Sequence, residues 1–123
     1  MFGALSSDGF VCRFYDRADR HSMVRFLREL RRKYGRMVIF TDNAGIHKAR
    51  DVLDFVRECR GDVVIRHYPR YTPQLNKVEN QWLNIRRFTA NRLFGSLDEA
   101  KKFIRRGLQN RQIKIVEMSD YLR

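Results

Sequence analysis

A chain of 123 residues with 43% apolar side chains has room for one ordinary domain with its own core, and little room for a second. Its longest apolar runs, such as Met37 to Phe40, fall far short of the about 20 residues a membrane-crossing helix needs, and the opening Met-Phe-Gly-Ala-Leu-Ser-Ser-Asp lacks the basic and then apolar order of a signal peptide. Twenty-six Lys and Arg against 14 Asp and Glu give a net charge of +12, and 20 of those cations are Arg, whose planar fork grips phosphate bidentately. The charge points to a polyanionic partner, above all nucleic acid, against the plainer reading of an Arg-rich surface that serves solubility. Two cysteines, Cys12 and Cys59, stand in no metal-type spacing, and a reduced, cytoplasmic setting is the expectation.

Phe2 to Leu5 and Phe10 to Tyr15 are β-prone runs, and the Ser-Ser-Asp-Gly between them predicts a hairpin. Met23, Phe26, Leu27 and Leu30 recur on one face of a helix over Asp19 to Tyr34, with Asp19 as N-cap and Gly35 as the stop. Met37 to Phe40 is a continuous apolar run, the pattern of a buried strand, and it ends at Thr41-Asp42-Asn43. A second helix carries Val52, Leu53, Phe55, Val56 and Cys59 and stops at Gly61; Val63 to Ile65 is the next buried strand. After a loop with Pro69 and Pro73, a third helix runs from near Asn76 to about Asn91 with Val78, Trp82 and Ile85 as its apolar face. The last helix starts at Ser96-Leu-Asp-Glu99, a capping-box pattern, and carries Phe103, Ile104 and Leu108. A hairpin followed by strand–helix alternation predicts an α/β fold, a mixed sheet with helices on its faces.

Two acids have positions suited to chemistry. Asp42 ends a strand, where ligands of open α/β sheets bind, yet an Asp there also serves as a helix cap or Asx-turn. Glu79 stands three residues after Asn76, the spacing of a capping box in which it folds back on the Asn76 N–H. The same carboxylate, at the positive end of a helix, is also placed to hold a divalent cation, although local spacing alone favours the cap.

The surroundings of these two acids carry a resemblance. Val38-Ile-Phe-Thr-Asp-Asn-Ala-Gly-Ile-His-Lys48 resembles a strand that ends in Asp-Asn-x-x-x-His. Tyr68-Pro-Arg-Tyr-Thr-Pro-Gln-Leu-Asn-Lys-Val-Glu-Asn-Gln-Trp82 resembles the Pro-x-Tyr-Ser-Pro-x-Leu-Asn-Pro-Ile-Glu-x-x-Trp signature, with Lys77 in place of the usual Pro. Both belong to DDE-type transposases of the mariner superfamily and related prokaryotic insertion sequences. The 36 residues between Asp42 and Glu79 are close to that family's spacing.

The resemblance implies a single ribonuclease-H-like catalytic domain over 1–123 in which three acids bind two divalent cations, Mg²⁺ or Mn²⁺. Asp42 and Glu79 would be the second and third acids, both catalytic and metal-binding, and Asn43, His47 and Asn76 would stand beside the site. Arg86, Arg87, Lys48 and Arg70 would hold DNA, with Trp82 in the core. The implied function is DNA transposition, phosphodiester hydrolysis at transposon ends followed by strand transfer. The family's first acid sits on a strand that precedes Phe2 to Leu5, and Asp8, Asp16 and Asp19 do not occupy its place. The expectation is therefore a sheet without its first strand, weak Mg²⁺ binding, negligible cleavage by the chain alone, and a homodimer or partner polypeptide that supplies the strand. The rival reading is a non-catalytic remnant that binds nucleic acid through its basic surface.

Overall fold

The computed structural model describes residues 1–42, 45, 49–69 and 75–117. In chain order the elements are β1 (Phe2–Ser6), β2 (Gly9–Arg13), α1 (Arg20–Tyr34), β3 (Met37–Thr41), α2 (Arg50–Glu58), β4 (Val63–His67), α3 (Val78–Thr89) and α4 (Leu97–Gln109). This is a mixed α/β chain, as the alternation predicts. The described strands form two separate pairs, β1 with β2 and β3 with β4, instead of the one mixed sheet expected. No further strand among the described residues joins the hairpin to β3. The elements fall into two compact units, one of Met1–Phe2 with Arg13–Asn76, the other of Gly3–Cys12 with Lys77–Arg123.

In the first unit, α1 buries the face its spacing predicts: Met23, Phe26, Leu27 and Leu30 are all nearly inaccessible. Its N-terminus is capped as expected, with Asp19 accepting the Ser22 N–H at 2.9 Å. That bond holds the Asp19 carboxyl below the usual carboxylate range. The cap therefore contributes fully at neutral pH, and its contribution is lost as pH falls through the lowered value. At the other end Gly35 adopts φ 70° and donates its N–H to the Arg31 carbonyl at 2.7 Å. On α2, Val52 and Phe55 are buried, as is Cys59 just past its end, whereas Leu53, expected on the apolar face, is 48% exposed.

β3 and β4 pair in parallel from Met37↔Val63 to Thr41↔His67. The ladder extends at both ends, through Met37 N–H to the Asp62 carbonyl at 2.7 Å and Tyr68 N–H to the Thr41 carbonyl at 2.8 Å. The apolar run predicts a strand buried on both faces, and β3 is not: its residues alternate, with Val38 58% and Phe40 59% exposed. A continuous apolar run records that both faces tolerate burial, not that both are covered.

In the second unit the hairpin turns at Ser7 and Asp8, and Gly9 enters β2 at φ 128°, a value that favours glycine. A two-residue link makes the pair antiparallel. Phe10 meets Trp82 of α3 edge to face at 5.7 Å. Gly3 lies so close beneath them that a β-carbon there would meet Trp82 at 2.5 Å. Phe88 of α3 stacks on Phe103 of α4 at 4.6 Å, and Arg92 lies over the same Phe103 ring. The α4 cap forms as the Ser96–Glu99 pattern predicts, with Glu99 N–H on Ser96 Oγ; the Glu99 carboxylate reaches back to Gly95 N–H at 2.7 Å.

Gly107, inside α4, gives a prediction whose sign is not obvious. Gly→Ala in a helix interior ordinarily stabilises by about 0.5–1 kcal/mol. Here an added β-carbon would run into the Phe88 ring and come within 2.9 Å of Ile113 Cδ1. Phe88 is held by its stack on Phe103, so the overpacking cost of about 1–3 kcal/mol dominates. Gly107→Ala should lower the urea midpoint, and a raised midpoint would show that the ring yields freely.

Candidate functional site

Asp42 is the residue that follows β3, at the carboxyl end of the parallel pair, and it is exposed. Its peptide is fixed from the neighbouring strand end. The Asp42 carbonyl accepts from Thr41 Oγ1 at 3.0 Å and lies 3.1 Å from His67 Nδ1, which is also 3.1 Å from Thr41 Oγ1. Thr41 and His67 are register partners. The strand end is thus a closed triangle of hydrogen bonds around the main chain of one acid. No motif in the sequence singles out His67; the signal for it is an imidazole at the last position of the strand parallel to β3.

Glu79 belongs to the second unit, in the first turn of α3. The capping box is not formed: the helix begins at Val78 with Lys77 in the cap position, in α conformation, and no side chain caps it. Lys77 has φ −67° and ψ −17°, already helical, whereas a capping residue is extended. Glu79 is exposed and makes no side-chain hydrogen bond or ion pair among the described residues. Its carboxylate is therefore not consumed by the local role that competes with metal binding. Asn76, expected beside the site, is half-buried and ends the first unit.

The outward face of α3 is set by its inward one. Gln81 and Ile85 are buried, so Glu79, Leu83, Arg86 and Arg87 are exposed at spacings of three, four and seven to eight residues. Arg86 and Arg87, in the last turn, make no ion pair among the described residues. Two cations of α1 differ: Arg28 meets Glu58 at 3.7 Å and lies over Phe55, and Arg31 meets Asp62 at 3.3 Å. Asn43, His47, Lys48 and Arg70 lie outside the described residues.

Among the described residues no group of three or more His, Cys, Asp or Glu side chains could hold a metal ion, and no helix is long and apolar enough to cross a membrane. Asp42 and Glu79 offer hard carboxylate oxygens, the donor type that Mg²⁺ and Mn²⁺ prefer.

Asp42, just past the end of a parallel strand, stands where open α/β sheets characteristically bind their ligands. Residues 1–101 match the family described as DDE superfamily endonuclease, and the chain belongs to that family. Comparison with curated proteins and with solved structures gives no match.

Proposed function

We propose that this chain is part of the catalytic domain of a DNA transposase of ribonuclease-H-like fold, in which Asp42 and Glu79 are catalytic, metal-binding acids. The observation that carries the reading is Asp42 at the carboxyl end of β3, inside the stretch that matches the endonuclease family. Glu79, in the first turn of α3 and without a side-chain partner among the described residues, supports it as the second ligand. Two hard cations, when bound, supply activation of the attacking water or 3′-hydroxyl and neutralise charge on the leaving oxygen. Asp42 and Glu79 hold that charge in place, and Arg86 and Arg87, with Lys48 and Arg70, hold the DNA backbone. The substrate is a transposon-end phosphodiester, and the steps are hydrolysis and then strand transfer.

Calorimetric titration with Mn²⁺ tests the two assignments. Asp42→Asn and Glu79→Gln should each weaken Mn²⁺ binding. Binding unchanged by either substitution would remove that acid from the metal-binding set and defeat the reading. DNA binding with no metal binding would favour the nucleic-acid-binding remnant.

A further inference from the structure

At the carboxyl end of the parallel pair, hydrogen-bond chemistry fixes more than position. A main-chain carbonyl only accepts, so the contact between His67 Nδ1 and the Asp42 carbonyl at 3.1 Å requires a proton on Nδ1. Thr41 Oγ1 donates to the same carbonyl at 3.0 Å, which leaves its lone pairs to accept from the ring at 3.1 Å. All three bonds are satisfied only with Nδ1–H as donor. In the neutral ring the Nε2 lone pair is then left over. The ring is held in turn by the ladder, since His67 is opposite Thr41 and Tyr68 N–H closes on the Thr41 carbonyl at 2.8 Å.

We infer that His67 is a positioning residue for Asp42: its Nδ1–H, with the Thr41 hydroxyl, clamps the Asp42 peptide so that the carboxylate leaves the strand end in one direction. The inference rests on Asp42 being a metal ligand, as proposed above. Asp42 lies one residue past the last register pair of the ladder, and the clamp on its carbonyl carries the order of the strand out to it. Outer partners that orient a ligating residue typically contribute about 10–100-fold to metal affinity.

The experiment is a Mn²⁺ titration of the full chain, followed by electron paramagnetic resonance, on wild type, Asp42→Asn, His67→Ala and His67→Asn. An Asn side chain puts an N–H donor at the same number of bonds from Cα as Nδ1, and removes Nε2. His67→Ala should weaken Mn²⁺ binding at least about tenfold, and His67→Asn should recover most of the wild-type affinity. A purely structural role would lower the melting temperature of both variants without this split in affinity. Equal loss in His67→Ala and His67→Asn would make Nε2 the working atom and overturn the positioning role. Loss in Asp42→Asn with none in His67→Ala would overturn the inference alone. Binding untouched by Asp42→Asn would overturn the metal-site reading and the inference with it. Independently of any variant's folding, the ¹⁵N spectrum of the wild-type ring at a pH where it is neutral should show protonated Nδ1. Protonated Nε2 would overturn the clamp.

Discussion

Reversing Arg86 and Arg87 to Glu should weaken duplex DNA binding by more than about tenfold and lower the slope of log affinity against log salt by about two, one for each phosphate no longer held. The matched control is Arg28→Glu with Arg31→Glu. Both double variants reduce the net charge of +12 by the same amount, so a long-range field effect would act on both alike. They differ in what the cations already touch. Arg28 and Arg31 face Glu58 and Asp62 within their own unit, so a phosphate would have to compete with a carboxylate for each. Arg86 and Arg87 stand exposed in the last turn of α3 with no ion pair among the described residues, and their guanidinium groups are open to a polyanion. The control should instead lose stability, since reversal places a negative charge at positions 28 and 31 beside the existing carboxylates of Glu58 and Asp62. The loss should be small, because exposed pairs contribute only about 0–1 kcal/mol. Anisotropy titrations between about 50 and 200 mM salt separate the cases. Equal weakening of binding in both variants would mean that α3 has no special share in the DNA surface.

How far the sequence carries depends on whether a feature is local. The α1 face, its Asp19 cap, the Gly35 stop and the Ser96–Glu99 cap are all set within a few residues, and each is legible. So is the position of Asp42, since a β-branched and aromatic run ending in Thr-Asp marks a strand end without further information. The clamp on Asp42 is not legible. It depends on the Thr41↔His67 register, and that register is fixed by how α2 returns the chain, 26 residues later in sequence, to the edge of β3. The exposure of Val38 and Phe40 escapes for a related reason: burial of a strand's second face is decided by what packs there, which no run of apolar residues records. The Asn76 cap fails at a boundary. Spacing allows either Asn76 or Lys77 to open the helix, and Lys77 takes helical angles without any side-chain cap. That difference has a functional consequence, because the capping box is the local role competing for Glu79.

The largest stability effect is expected at Gln81, which stands on the apolar face of α3 between Val78, Trp82 and Ile85 and is completely buried. A polar residue at a core position of a helix signals a partner, since an unpaired buried amide costs about 1–3 kcal/mol. Gln81 has two: its Nε2 donates to the Lys114 carbonyl at 3.1 Å, and its Oε1 accepts Val116 N–H at 2.8 Å. One side chain thus pairs with the segment after α4 much as a neighbouring strand would. Ile113, 2% exposed, is buried beside this anchor. Gln81→Leu fills the site with an apolar side chain and removes both bonds, so the Val116 N–H loses its partner and the Lys114 carbonyl keeps only its bond from Asn84; what is lost must be regained from water by releasing the segment. Either leaving the groups unpaired or releasing Ile113 costs about 2–4 kcal/mol. Asn84→Ala is the comparison. Asn84 also donates to the Lys114 carbonyl, at 2.9 Å, but through an exposed bond for which water substitutes, so its loss should be slight. Urea unfolding gives the stabilities, and hydrogen exchange reads the Val116 amide directly. In Gln81→Leu that amide should exchange far faster than in wild type. A Val116 amide that stays protected would mean that packing of Ile113 alone holds the segment to α3, and that the buried glutamine is not its anchor.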